Sequence, residues 1–441
     1  MANICVIGLG RIGLPLALLL ADAGHKVVGV DEDLGIINKI RRNNIEGAKK
    51  EKILLEKLLN KQFFVTNNLN EALKIAEIVF IAVGTGIKPD GTPDLSNLFK
   101  VIEEICTSLD NVKAKTFVIK STLPIGTTRK IASFMEERTG KRCGVDFFLA
   151  FCPERVLGDK AIIEMASLPK IIGGMDRASS EKVASIYGTI GGKIIIVDRP
   201  ETAELIKLAD NAFRQTLFAF ANDLALVAER YGINAYELIQ AANDSYPRNN
   251  IPLPSAGVSG YCLTKDPLYL EAAFNEIALK RGFHSVWFWA RKANDYMPVH
   301  VVELLARKLY SIGRSLKDSN ILVCGITYKE NVDDTRFSHG IEIANKLREE
   351  GANVYVWDPH VQNQNFSFQL QKINDPQEIL GNLDALVFTV KHDEFVKLND
   401  NDEILNMLHR MRTPIIFDGW GIFQRLANRK DILYIGVGIG E

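Results

Sequence analysis

The stretch NICVIGLGRIGLPLALLLADAGHKVVGVDED, residues 3–33, reads as strand, glycine turn, helix and second strand. An apolar run enters Gly8, a helix-length apolar segment follows Gly13, and KVVGV makes a second strand ending at Asp31. Gly8, Leu9, Gly10, Arg11, Ile12 and Gly13 fit the pattern G-x-G-x-x-G. The first glycine permits a tight turn, the second lets a pyrophosphate approach the backbone, and the third lets the helix pack on the strand. The unpaired N–H groups of the helix N-terminus then face the phosphates. By itself the pattern is weak, and a purely structural glycine turn competes with it. Here it follows a strand, opens a helix, and is succeeded by Asp31 where a ribose-binding acid belongs. Glu32 and Asp33 come next, not an arginine, and would repel a 2′-phosphate. The expected cofactor is therefore NAD and not NADP.

Further strand-like runs are EIVFIAVG (77–84), TFVIKST (116–122) and IIIVD (194–198), separated by helix-length segments such as 95–109 and 127–138. Strands alternating with helices predict a parallel sheet covered on both faces, ending near Asp198. From Glu201 to Arg230 the chain has a helical pattern without proline, stopped by Gly232. Its apolar positions wrap well over half the circumference, more than one partner surface would bury. A long central helix shared between two domains, and with a second subunit, satisfies that pattern. Helix-like sequence continues to about Arg314. The strand–turn plan then returns in SNILVCGITYKENVDDTR (319–336), ANVYVWDP (352–359), DALVFTV (384–390) and PIIFDGW (414–420). The predicted fold is α/β, with Rossmann-like doubly wound domains at 1–198 and 315–441 joined by a helical domain at 199–314.

At 441 residues the chain exceeds one ordinary core, which agrees with several domains. Its formal net charge of −1 gives no support to nucleic-acid or acidic-membrane partners. No apolar run is long enough to span a bilayer, and the N-terminus opens directly on a strand, so no signal peptide is read. The six cysteines (Cys5, Cys106, Cys143, Cys152, Cys262, Cys324) are scattered, without metal-ligand spacing. Reduced thiols in a cytoplasmic protein, and no metal, are expected.

Cys262 lies in GVSGYCLTKD (257–266). Most cysteines are small apolar core residues. Gly257, Ser259 and Gly260 nevertheless make a poor strand or helix, which places this one on a loop. Asp266-Pro267 then reads as a helix start with proline at the first position, so Asp266 is an N-cap candidate. A thiol ahead of a helix N-terminus and beside Lys265 has reason for a lowered pKa. Nucleophile and inert thiol both stand. Lys207 and Asn211, four apart on the long helix, share a face that continues towards Arg214, and periodicity alone favours solvated polar residues there. Glu154, in FCPERVLGDK (151–160), is either catalytic or a partner for Arg155. Thr122 precedes Pro124 and Gly126 at a strand end, with Thr127 or Thr128 as helix caps in the plainer reading. Lys329 and Arg336 flank ENVDDT and either bind phosphate or pair with Asp333 and Asp334.

Together, GLGRIG, VGTG, KSTLPIGTT, CPERVLGD, AELIKLADNAFR, GVSGYCLTKDP and GITYKENVDDTR resemble the nucleotide-sugar 6-dehydrogenases of the UDP-glucose/GDP-mannose dehydrogenase family, in the same order over nearly the whole chain. The resemblance implies an N-terminal NAD domain, a central domain dimerising through its long helix, and a C-terminal nucleotide-sugar domain. It also implies oxidation of the sugar C6 alcohol to a carboxylate in two hydride transfers. A second hydride can leave only from a tetrahedral carbon, which a thiolate supplies by forming a thiohemiacetal. By resemblance Cys262 is that nucleophile, and Lys207 and Asn211 stabilise the oxyanion. Asp266, Glu154 and Thr122 position or activate water. Thr85 in VGTG and Arg336 belong with the cofactor, and Tyr328 and Lys329 with the substrate.

PERVL, YPRNNIP and KDP are similar to the branch acting on UDP-N-acetylhexosamines, where Arg155, Val156, Arg214 and Arg248 match substrate-contacting positions. UDP-N-acetylmannosamine is preferred over UDP-N-acetylglucosamine, and both over UDP-glucose. A single-step hydroxyacid dehydrogenase and an NAD-binding protein without turnover are the competing classes. Three departures from the family pattern stand out. Ser259 replaces a glycine and would be strained if that position needs positive φ. Gly158-Asp159 replaces Pro-Gly, and VGTG replaces Val-Gly-Thr-Pro.

Overall fold

The computed structural model describes residues 1–45, 49–108, 115–156, 160–361 and 370–440. Gly158 and Asp159 therefore lie outside the described residues. Two compact units are found: Met1–Asp210 with Leu268–Glu276, and Asn211–Pro267 with Ile277–Glu441.

In the first unit the strands are β1 (Asn3–Ile7), β2 (Lys26–Val30), β3 (Phe63–Thr66), β4 (Ile78–Ile81), a short hairpin of β5 (Gly86–Ile87) and β6 (Pro93–Asp94), β7 (Lys115–Ile119), β8 (Phe147–Phe151), β9 (Lys170–Gly174) and β10 (Ile194–Val197). Eight of them form one sheet in the order β10-β9-β8-β7-β4-β1-β2-β3. The order reverses at β1, with β2 on one side and β4 on the other, both parallel to it. That reversal opens a crevice at the carboxyl ends of β1 and β4.

Strand residues alternate between the two faces. Ile4 and Val6 pack with Leu16, Leu20 and Val27 on one side. Cys5 and Ile7 pack with Ile102, Phe117 and Ile131 on the other. Burial on both faces explains why the strands read as unbroken apolar runs. One expectation needs correction: β9 pairs antiparallel with β8, and β10 runs with β9, so the far edge of the sheet reverses direction.

The second unit carries β11 (Asn320–Cys324), β12 (Asn353–Trp357), β13 (Gln371–Lys372), β14 (Ala385–Phe388), β15 (Ile415–Asp418) and β16 (Leu433–Gly436). They form a parallel sheet ordered β13-β12-β11-β14-β15-β16, with the same reversal at its centre. Helices Ala235–Asn243, Tyr261–Arg281 and Val286–Ser311 lie between the sheets in sequence. The helix Pro200–Arg230 runs unbroken for 31 residues. Gly232, with φ of +68°, ends it in the left-handed conformation that glycine favours.

The glycine turn separates two effects cleanly. A Cβ on Gly13 would collide with the Gly8 carbonyl oxygen, whereas one on Gly10 would meet nothing within 4 Å. Gly13→Ala is expected to destabilise the fold by about 1–3 kcal/mol through overpacking. Gly10→Ala should keep the melting temperature and weaken NAD binding. Thermal melts paired with NAD titration test the contrast.

Candidate active site

The loops that end β1 and β4 carry the expected cofactor residues. Gly8 has φ of +88°, and a Cβ there would come within 2.8 Å of Ala82 O. Gly10 faces open space ahead of helix Gly13–Asp22, a bare backbone surface that fits a pyrophosphate. Arg11 is exposed and Ile12 half-buried beside it. Asp31 accepts from Leu9 N at 2.8 Å and Asp33 N at 2.9 Å, so it holds the glycine turn itself. Thr85 donates its hydroxyl to Thr122 O at 2.9 Å, joining the ends of β4 and β7. Tyr269 donates to Gly86 O at 2.6 Å and fixes the following hairpin. Neither Thr127 nor Thr128 caps helix Thr127–Thr139; its cap is Gly126, and buried Glu204 accepts from Gly126 N and Thr128 N.

Glu154 follows β8, and its surroundings were only partly legible in the sequence. Lys120, at the end of β7, is fully buried with Nζ 3.1 Å from Glu154 Oε2. The same ammonium lies 3.9 Å from Cys152 Sγ and 5.2 Å from the Tyr187 ring centroid. Burial opposes the Lys120 charge, and Cys152 and Glu154 more than offset it, so its pKa moves up. The other Glu154 oxygen accepts from Arg155 N at 3.0 Å. The Arg155 guanidinium bonds elsewhere, to Asp210 and to Pro169 O, each at 3.1 Å. Glu154 is therefore partnered by Lys120, not by the Arg155 side chain. Lysine in a strand-end KST run was the available signal. Val156 is half-buried.

In the second unit the surroundings of Cys262 correct three expectations. The helix starts at Tyr261 with Gly260 as its cap, so Cys262 stands in its first turn and not on a loop. Pro267 is inside the helix, not at its first position. Asp266 is not an N-cap: it is buried one turn after Cys262 and accepts from Asn211 Nδ2 at 2.6 Å. Buried Lys265 places its Nζ 3.5 Å from Asp266 Oδ1 and 4.9 Å from the Tyr261 ring centroid. Lys207 and Asn211 are both buried, which overturns the solvated reading for these two, while Arg214 on the same face is exposed.

Of the six cysteines, all described, Cys262 is the one that is exposed. Burial pushes the Cys5 thiol up to about 12, and Cys106 and Cys143 up to about 11. It likewise raises Cys152 and Cys324. Cys262 stands at the N-terminal end of its helix, where the backbone carries partial positive charge.

Beyond β11, Tyr328 N donates to Asp334 O at 2.8 Å. Lys329 Nζ stands 6.0 Å from the Tyr328 ring centroid. Arg336 forks onto Asp334 at 3.0 and 3.1 Å. Arg214 is exposed, and Arg248, also exposed, lies over the Tyr246 ring at 5.4 Å.

Ser259 is not among the residues with positive φ; its neighbours Gly257 and Gly260 are, so the expected strain is absent. Its hydroxyl instead meets buried His339, a contact with no local sequence signal. His360, His392 and Glu394 lie close enough to suggest a metal cluster. His392 Nδ1, however, accepts from Asn331 N at 2.9 Å while Nε2 faces Asp358 at 3.2 Å. Both ring nitrogens are committed, which leaves two side chains for any ion.

A G-x-G-x-x-G turn at the switch point of one sheet is the arrangement that admits a dinucleotide, the cofactor class of many oxidoreductases. Three family models match the chain in order. They are the NAD binding domain (residues 2–191), the central domain (201–296) and the UDP binding domain (322–425) of the UDP-glucose/GDP-mannose dehydrogenase family. The chain belongs to that family and is an NAD-dependent nucleotide-sugar dehydrogenase. A UDP-N-acetyl-D-mannosamine dehydrogenase of Pyrococcus horikoshii is 34% identical, over all of both chains. The structure of a UDP-D-ManNAc dehydrogenase from Pyrococcus horikoshii superposes with a TM-score of 0.90 at 32% identity, covering 99% of each chain. That of a UDP-glucose dehydrogenase from Pyrobaculum islandicum reaches 0.86 at 27% identity, covering 99% of this chain and 98% of that one.

Removing one member of a buried ion pair strands the other. Lys120→Met is therefore expected to cost about 3–5 kcal/mol, and Lys120→Met/Glu154→Leu to recover much of it. Urea melts of the two variants check this.

Proposed function

We propose that this dehydrogenase oxidises the C6 hydroxyl of UDP-N-acetyl-D-mannosamine to the uronate, a four-electron reaction running through Cys262. The observation that carries the reading is the position of Cys262, exposed in the first helical turn, with Asp266 buried one turn on and hydrogen-bonded to Asn211. NAD, when bound, takes up one hydride in each of two oxidations.

The residues divide the remaining work. After the alcohol has become an aldehyde, the Cys262 thiolate adds to C6. A C–S bond forms, and the carbonyl electron pair moves to oxygen, which takes a proton. Lys207 and Asn211 stabilise the oxyanion, and Lys207 takes part in the proton transfers. Loss of hydride from C6 and of the hydroxyl proton leaves a thioester. Water, positioned by Asp266, Glu154 and Thr122, then attacks it, breaking the C–S bond and returning the thiolate.

Gly8, Gly10, Arg11, Ile12, Gly13, Asp31, Thr85, Thr122 and Arg336 serve the cofactor. Val156, Tyr328 and Lys329 serve the sugar nucleotide. Among the arginines, exposed Arg214 and Arg248 fit a substrate role better than Arg155, whose guanidinium is held by Asp210 and Pro169 O. This assignment goes with a cofactor domain at 1–198, a helical domain at 199–314 and a sugar-nucleotide domain at 315–441. It also goes with a cytoplasmic place in the synthesis of a surface polysaccharide or glycan.

The preference for the N-acetylmannosamine substrate rests on PERVL, YPRNNIP and KDP and on the name of the Pyrococcus horikoshii relative. Fold does not discriminate, since the UDP-glucose dehydrogenase superposes nearly as well. Incubation with NAD and a panel of nucleotide sugars is expected to yield two NADH per N-acetylmannosamine nucleotide. Turnover of UDP-glucose or UDP-N-acetylglucosamine alone would overturn the substrate. Cys262→Ser is expected to stop acid formation, because a serine alkoxide is far less available than a thiolate.

A homodimer through the long helix completes the proposal. Phe213, Phe220 and Val227, seven residues apart, are 65%, 55% and 55% exposed and form one stripe. Phe213→Glu/Phe220→Glu should convert the protein to monomers in light scattering.

A further inference from the structure

Ser259 stands where the family resemblance leads one to expect glycine, and its side chain makes two bonds to one residue. Its Oγ accepts the backbone N–H of His339 at 2.8 Å. The hydroxyl also meets His339 Nδ1. His339 Nε2 lies 2.7 Å from the Thr389 carbonyl oxygen, which can only accept, so that nitrogen carries the proton. Nδ1 of the neutral ring is then bare and accepts a hydrogen bond from the serine hydroxyl. Burial favours this neutral ring, bringing the His339 pKa down to about 4.

The neighbouring backbone is tied to the same segment. Gly260 N donates to Phe337 O at 3.2 Å. Phe337 reaches that position with φ of +55°, a conformation a bulky residue rarely adopts. Its ring also packs on Tyr261, with centroids 5.3 Å apart. A Cβ on Gly260 would come within 2.8 Å of Tyr328 Cδ2, and one on Gly257 within 3.0 Å of the His339 Cβ. Residues 257–260 are thus fastened along the loop that carries Tyr328, Lys329 and Arg336. The nucleophile's helix begins at the next residue, and Cys262 is its second.

We propose that Ser259 and His339 are a positioning pair that fixes the sulfur of Cys262 relative to the sugar-nucleotide loop. Ser259 touches neither substrate nor cofactor in this role. It sets where the helix starts, and the loss falls on C–S bond formation more than on substrate affinity. The inference rests on Cys262 being the nucleophile.

The test uses the full chain, with NAD and whichever nucleotide sugar the wild type turns over. Ser259→Ala is expected to lower kcat for acid formation by about tenfold to a hundredfold while KM moves by less than about threefold. Free aldehyde should become trappable. The rate at which iodoacetamide alkylates Cys262, followed by intact mass with UDP present, should change in parallel. Ser259→Thr, which keeps the hydroxyl, should restore most of kcat. His339→Ala should resemble Ser259→Ala, and the double variant should be no worse than the poorer single. Thermal melts confirm that each variant is folded. Wild-type kcat and alkylation in Ser259→Ala would overturn the pair, as would additive losses in the double variant. Failure of the nucleophile reading shows differently, as undiminished acid formation by Cys262→Ala.

Discussion

In both units a helix follows the central strand so closely that only glycine fits. A Cβ on Gly13 would strike the Gly8 carbonyl, and a Cβ on Gly340 would strike that of Gly325. Each approach is matched by a carboxylate at the end of the adjoining strand. Asp31 grips Leu9 N, and Asp358 grips Ile326 N and Thr327 N, at 2.7 to 3.2 Å. Backbone contact and anion together fix where each helix begins, and hence where each binding loop opens. The two loops then diverge. Four residues separate Gly8 from Gly13, enough for a bare turn around phosphate, while fourteen separate Gly325 from Gly340. The longer loop has room for Tyr328, Lys329 and Arg336, and it is the loop to which Ser259 is tied.

Two of the buried charges in the proposed machinery are compensated by a neighbour. Lys120 faces Glu154, and Lys265 faces Asp266, which also accepts from Asn211. A buried pair of this kind adds little net stability, because desolvation cancels most of the attraction. Breaking one is expensive, which makes these pairs effective at holding a side chain in a single orientation. Asp384 does related structural work away from the candidate site, where Arg314 and Arg412 converge on it.

Local pattern made much of this fold legible. The opening turn, the acid after the second strand, the long helix and the return of the strand plan at residue 319 all depend on neighbours in sequence. Helices expected at 95–109 and 127–138 are found at Ser96–Ser108 and Thr127–Thr139. What escaped the pattern depends on distant contacts. Nothing near Lys207 or Asn211 says that these two side chains are buried. Nothing near Ser259 says that His339, 80 residues on, will meet it. The start of the Cys262 helix was misplaced for a local reason. Proline is such a strong first-position signal that Pro267 drew the boundary to itself, while the glycines before Tyr261 hid the actual start.

That misplaced proline has a mechanical consequence. A proline amide has no hydrogen, so the helical rung that would join residue 267 to the Leu263 carbonyl does not exist. The turn bearing Cys262 is therefore attached below by a ladder with one rung missing and above by fastenings to residues 337 and 339. With one backbone bond fewer tying this turn to the rest of its helix, its attachments to residues 337 and 339 carry a larger share in holding the sulfur in place.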